Sequence, residues 1–335
     1  MDILYSMLCK NRNLILNKGY FVTVVMLLMA ACSNTESENI LPETDEPIGF
    51  GVVMSTTKRS LISDAVQMGT FKVWGWRTPQ NQVVKGNVFN GTNVSYDETN
   101  GWIYSPLQSW VLYNNYDFYA LYPDTLSGVN YNETGQLSFD RLDVRQSGEY
   151  STGHALDVMH AHHAVAVETT PPDRVQLTFD HLLTNVNFKL LKSTENAADK
   201  IVVIGIVVGG MNCIGSMVND EWIYHDTETS YFYSLPNQEL KTDIPLIFGN
   251  LLMIPQILTE DQPVTFIVQY NYTQAGSNET QRKYLLTNLP TSQAWTKNTN
   301  VTYNATIYVD KNISFSTPVV ESWGTEQVAG TIVIK

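Results

Sequence analysis

The chain has 335 residues, 43% of them hydrophobic and 16% charged, with 33 acidic against 20 basic side chains and a formal net charge of −13. That balance repels phosphates and no basic stripe offsets it, so nucleic acid is excluded as a partner. The length suggests about two domains, and the three cysteines provide no disulfide framework.

Lys10, Arg12 and Lys18 precede an apolar run from Tyr20 that closes on Leu28-Met29-Ala30-Ala31-Cys32-Ser33. The run is too short to span a bilayer comfortably, and small residues flank the cysteine. It resembles a bacterial lipoprotein signal, departing from the pattern at Met29, where leucine is commonest. Residues 1–31 then form the signal peptide and Cys32 becomes the lipidated first residue. The other reading is an ordinary secretory signal whose cysteine is incidental. No second apolar run reaches membrane-spanning length, so attachment to the outer membrane rests on acyl chains at Cys32, each buried methylene contributing about 0.8 kcal/mol. Residues 32–47 are polar and acidic and read as a tether. Their acidic start resembles the signal that exports some lipoproteins to the cell surface.

Beyond the tether the pattern is that of strands. Ile48, Phe50, Val52 and Met54 alternate with Gly49, Gly51, Val53 and Ser55, which predicts a first strand over 48–57 with one apolar face. Segments 69–76, 117–122, 174–179, 185–190 and 264–270 read likewise, and Asn90-Gly91 and Asn100-Gly101 mark turns between strands. Helical periodicity is confined to a weak stretch from Asp180 to Val186. The fold class is all-β, as sandwiches. Pro171-Pro172 stops any continuous strand, so one domain is expected over 48–170 and a second over 171–335.

Chemistry-bearing clusters are few. His160 and His162 would share a strand face, with His163, His154 and Asp157 nearby, but a third metal ligand on that face is not evident, and the segment reads as a solvated loop. His181 reads as a hydrogen-bonded structural histidine and Cys213 as a small buried hydrophobe. Serine nucleophile elbows, phosphate loops and paired-cysteine motifs are absent, so no catalytic residue, metal ligand or cofactor is assigned and the chain is not read as an enzyme. Trp74, Trp76, Trp102 and Trp110 fit core and cross-strand pairs, with Trp102 and Trp110 as candidate platforms for a host glycan or protein. Eight Asn-x-Ser/Thr triplets between Asn90 and Asn312 read as exposed turns.

A family resemblance runs nearly the whole length. It is carried by Lys58-Arg59 after the first strand, Trp102 to Pro106, Trp110, Asp117 to Pro123, and Asp157-Val-Met159. Further on it rests on Leu177 to Leu182 with Val186-Asn-Phe188, Leu252 to Gln256, Trp295 with Tyr303, Ile313 to Phe315, Trp323 and a last strand through Ile334. In this order and spacing the chain resembles the fimbrillins, lipoprotein-type subunits of type V pili in Gram-negative anaerobes.

The resemblance implies two transthyretin-like β-sandwich domains and strand exchange between subunits. An arginine-specific surface protease removes the first strand, and a terminal strand of the next subunit fills the groove. The residues supply parts for this. Lys58-Arg59 lies among Ser and Thr, as an exposed cleavage site would, with Arg59 as the residue cut. Losing Ile48, Phe50, Val52 and Met54 would uncover side chains whose burial contributes about 1.5–3 kcal/mol each. Val328, Gly330, Ile332 and Ile334 fall on one face of a terminal donor strand. Expected partners are therefore other fimbrial subunits, the protease, the outer membrane through Cys32, and a host glycan or protein. The alternative is a surface lipoprotein adhesin that binds through exposed aromatics without polymerising. Without exchange, the two terminal segments are first and last strands of ordinary sandwiches.

Overall fold

The computed structural model describes residues 42–54, 65–145, 156–226 and 229–323. The chain separates into the units Met1–Pro42 and Glu43–Lys335, and the described elements belong to the second. They are almost wholly strands. The first half contributes β1 (Glu43–Pro47), β2 (Phe50–Met54), β3 (Thr70–Pro79), β4 (Gly86–Asp97), β5 (Gly101–Ile103), β6 (Ser109–Val111) and β7 (Asn114–Tyr122). There follow β8 (Asn130–Tyr131), β9 (Leu137–Asp143), β10 (Met159–Val167), β11 (Val175–His181) and β12 (Thr184–Lys192). Next come β13 (Lys200–Met211), β14 (Ile214–Val218), β15 (Glu221–Asp226), β16 (Thr229–Glu239) and β17 (Leu246–Met253). The last strands are β18 (Thr265–Thr273), β19 (Gln281–Asn288), β20 (Thr299–Tyr308), β21 (Asn312–Phe315) and β22 (Val319–Ser322).

Seven strands form one sheet in the order β2-β11-β10-β7-β3-β4-β5. Alternation along β3 sends Phe71 and Val73 to one face and Trp74 and Trp76 to the other, and both faces are buried. The sheet curls until its two ends meet: the Phe50 ring on β2 lies 5.4 Å from Phe89 on β4 and 5.9 Å from Phe118 on β7, both edge-on. Gly75 makes room for this, since a Cβ there would sit 2.9 Å from the Phe89 ring and 3.1 Å from Phe118.

The second core lies between two further sheets, β17-β12-β20-β21, with β22 also on β20, and β16-β13-β18-β19. Its centre is Phe188, stacked 4.7 Å from Phe266 across the sandwich and 5.5 Å from Tyr303 beside it. A fourth sheet, β15-β14-β9-β8, joins the halves of the chain, because β9 pairs antiparallel with β14.

Several local expectations change. The boundary at 170/171 falls inside the first sheet: β11 lies beyond Pro171-Pro172 yet pairs in parallel with β2, Val175 opposite Phe50 through Phe179 opposite Met54. The hydrophobic clusters do not divide there either: Val175, Leu177 and Phe179 belong with Phe50 and Phe118, while Trp74, Trp76 and Leu121 belong with Phe188 and Leu190. A double proline stops a strand but does not stop the chain returning to the same sheet. The end of the expected tether is β1, paired antiparallel with β6. Asn90-Gly91 is a bulge within β4, where Gly91 at φ +70° falls between the pairs Val73–Thr92 and Trp74–Asn90. Asp180–Val186 holds the end of β11 and the start of β12 rather than a helix. The histidine-rich segment is β10, paired with β7 along its full length, not a solvated loop. Six of the eight Asn-x-Ser/Thr asparagines lie in strands, because alternation with buried neighbours outweighs asparagine's turn preference.

Candidate functional site

β2 occupies a slot, and its sequence explains how. On one side Val175 N–H donates to the Gly49 carbonyl at 2.8 Å, continuing the parallel register with β11. On the other side, Ile48 N–H donates to the Gln108 carbonyl at 2.8 Å and the Tyr104 hydroxyl donates to the Ile48 carbonyl, also at 2.8 Å. A Cβ at Gly49 would sit 3.1 Å from the Asp173 carbonyl oxygen, so glycine lets the two backbones close up. Ile48 and Phe50 are each 1% exposed, Val52 is half-buried and Val53, on the opposite face, is exposed. Phe50 is the plug, ringed edge-on by Phe89, Tyr104 and Phe118. Burial pushes the Tyr104 hydroxyl above the ordinary tyrosine range, partly offset by the hydrogen bond it accepts from Gln108 N–H. It therefore stays a neutral donor to the slot.

A second cluster stands just beyond the slot. Phe179 is the last β11 residue opposite β2, and two residues on, the buried His181 shares a 2.8 Å hydrogen bond between Nδ1 and Asp157 Oδ1. The His181 ring stacks on Trp323, centroids 3.7 Å apart and planes within 6°. Trp323 N–H donates to the Asn298 carbonyl at 2.8 Å, and the Asn298 amide donates to Asp180 at 3.0 Å. Trp323, after which the last twelve residues follow, is thus fastened beside the end of β11 that faces Met54.

The expected site residues are placed as follows. Ile48 and Phe50 line the slot as one face, as expected, while the side chain of Met54 lies outside the described residues. So do Cys32, Arg59, Val328, Gly330, Ile332 and Ile334. Trp110 is not an exposed platform. It is 0% exposed, packed 4.9 Å from Tyr116 and 5.9 Å from Phe118, because β6 turns it into the first core. Trp102 is half-buried against Phe71 and Tyr96. Trp74 and Trp76 are buried, the first against Tyr131 and the second against Tyr119.

His160 and His162 do share a face of β10. His162 Nε2 lies 3.3 Å from Asp117 Oδ1, with its ring stacked on Tyr119 at 4.5 Å. Burial, then the charge of Lys297, lowers the His160 pKa, with Asp180 and Asp220 opposing. Among the described residues no group of three His, Cys, Asp or Glu is placed to hold a metal. Cys213 is buried, its thiol directed at the Met211 carbonyl. The sequence reading missed Tyr104 and Gln108 as walls of the slot, and the pairing of His181 with Trp323. The only signal for the latter was that both lie in the segments that carry the family resemblance.

A family model described as fimbrillin-like matches residues 63–323. No curated protein matches the chain. Among solved structures, a fimbrial protein from Bacteroides vulgatus has a TM-score of 0.61 at 17% identity, over 83% of this chain and 100% of its own. A protein from Bacteroides ovatus assigned to cell adhesion has a TM-score of 0.53 at 13% identity, over 84% of this chain and 99% of its own. These likenesses bear on the fold, an all-β sandwich arrangement. The match over residues 63–323 carries the family: the chain belongs to the fimbrillin-like family, and its role is a fimbrial one.

Proposed function

We propose that this chain is a fimbrial subunit exported as a lipoprotein through Cys32, in which β2 is a placeholder. Cleavage after Arg59 by an arginine-specific surface protease frees β2. The C-terminal strand of another subunit, with Val328, Gly330, Ile332 and Ile334 on its buried face, then fills the slot. The observation that carries this reading is the position of β2. It is the edge strand of its sheet, held by a single strand partner and by the Tyr104 and Gln108 contacts, yet it delivers the fully buried Phe50 to the core.

Emptying the slot would expose Ile48 and Phe50 positions worth about 1.5–3 kcal/mol each, which leaves a strong demand for a replacement strand. Main-chain bonding along β11 supplies register for any incoming strand, and side-chain pockets supply selectivity. The non-polymerising adhesin reading loses its main platform with Trp110 in the core.

Limited trypsin treatment of the purified protein, followed by N-terminal sequencing and sizing, tests the proposal. A new N-terminus at Ser60 together with a ladder of oligomers is expected. Resistance at Arg59 with persistent monomer contradicts it.

A further inference from the structure

The outer face of the second sandwich carries a groove that the strand-exchange reading leaves unused. β21 and β22 both pair with the same edge of β20, β21 over Ala305–Tyr308 and β22 over Thr299–Thr302. Just after β21, Ser316 N–H donates to the Asn304 carbonyl at 3.0 Å. Residues of β12, β20 and β21, with Pro245 and Ser316, line a half-enclosed cavity of about 330 Å³, within the range of small-molecule sites though at its lower end.

Five of its nine lining residues carry polar side chains, Lys189, Asn304, Thr306, Ser314 and Ser316, beside the apolar Leu191, Pro245, Ala305 and Phe315. Register fixes their spacing. Lys189 lies beside Asn304 in the parallel β12–β20 pair, and Thr306 lies beside Ser314 in the antiparallel β20–β21 pair. Neighbouring strands stand about 4.8 Å apart and same-face residues about 6.7 Å apart along a strand, so the polar groups form a grid of the dimensions of one or two sugar rings. Leu191 and Pro245 supply apolar walls.

The single cation decides the charge of the ligand. Among the described residues Lys189 has no ion-pair partner, in a chain with thirteen more acidic than basic side chains. One ammonium surrounded by hydroxyl and amide groups suits a monoanion carried on a polyhydroxylated body. A phosphate dianion calls for more donors, such as an arginine fork or a run of backbone N–H groups.

We propose that this groove binds the carboxylate-bearing residue of an acidic saccharide, with Lys189 on the carboxylate and Asn304, Thr306 and Ser314 on ring hydroxyls. The site is independent of cleavage at Arg59 and of strand exchange.

Titration of the purified chain with N-acetylneuraminate and D-glucuronate, followed by NMR and calorimetry, tests it. N-acetylglucosamine and inorganic phosphate serve as comparison ligands. Saturable binding of an acidic sugar is expected, as is a loss of about tenfold in Lys189→Ala, the scale of one charge-assisted hydrogen bond. Lys200→Ala, on the opposite sheet, leaves binding unchanged. Thr306→Val, which keeps the charge and the side-chain volume, also weakens binding and guards against a folding artefact in the lysine variant. No saturable binding of either acidic sugar overturns the proposal. So do equal binding of N-acetylglucosamine, an unaltered Lys189→Ala protein, and phosphate binding as tight as the sugars, which marks an adventitious anion site.

Discussion

The two cores of this molecule are closed in different ways. The second core is sealed by interior strands: Phe188 on β12 meets Phe266 on β18, and both strands are flanked on each side by others. The first core is sealed by an edge. Its central ring, Phe50, arrives on a five-residue strand near the start of the described chain and is bonded along its length to β11 alone. A fold that needed β2 only for stability would gain by covering it on both sides. A core plug carried on an edge strand fits the proposal that the plug is exchanged.

This contrast can be broken experimentally, and the largest effect is expected in the second core. Phe188→Ala removes the ring that stacks on Phe248, Phe266 and Tyr303 and is expected to cost about 3–5 kcal/mol of global stability, read from denaturant unfolding. Phe50→Ala opens a cavity of similar size. Here the loss, about 3 kcal/mol, is expected to appear first as local opening, with amides of Val175–Phe179 exchanging hydrogen faster while those of β12 stay protected. Equal acceleration in both regions would erase the distinction between them.

Tyr303→Phe sharpens the comparison further. Trp295 Nε1–H donates to the Tyr303 hydroxyl at 3.0 Å, and burial pushes that hydroxyl's pKa up to about 12. Removing the acceptor leaves a buried donor unsatisfied, for an expected loss of about 1–3 kcal/mol by thermal or urea unfolding. The smallest effect is a pH slope.

His160 titrates below its ordinary value of 6.5 in the folded chain, so the unfolded chain takes up its proton first as the pH falls. Stability is intact above about pH 6.5 and declines as the pH drops through the folded pKa. His160→Gln is expected to flatten the urea midpoint between about pH 7 and 5.

Much of this was legible in the sequence where the signal is local. Alternation located β3, β7, β11, β12 and β18, and the apolar face of Ile48 and Phe50 was read correctly because a half-buried strand imposes a period of two. What failed was non-local. Nothing near Pro171 says that β11 returns to pair with β2, and nothing near Trp323 says that it will lie on His181. Asn90-Gly91 failed for another reason, since a bulge and a hairpin turn both call for a glycine at positive φ and share one signature. Trp110 shows the limit of composition: an aromatic residue between Ser109 and Val111 looks the same whether its strand faces solvent or core.

The central claim is that the slot of β2 accepts the chain's own terminal sequence from another molecule. It is tested most directly by cutting the protein after Arg59, removing the released strand, and titrating with a peptide of residues 324–335. The account predicts saturable binding that suppresses oligomers and slows hydrogen exchange along Val175–Phe179, with no effect from a scrambled peptide. Failure to bind the emptied protein, or equal binding to the uncut chain with β2 in place, would contradict it.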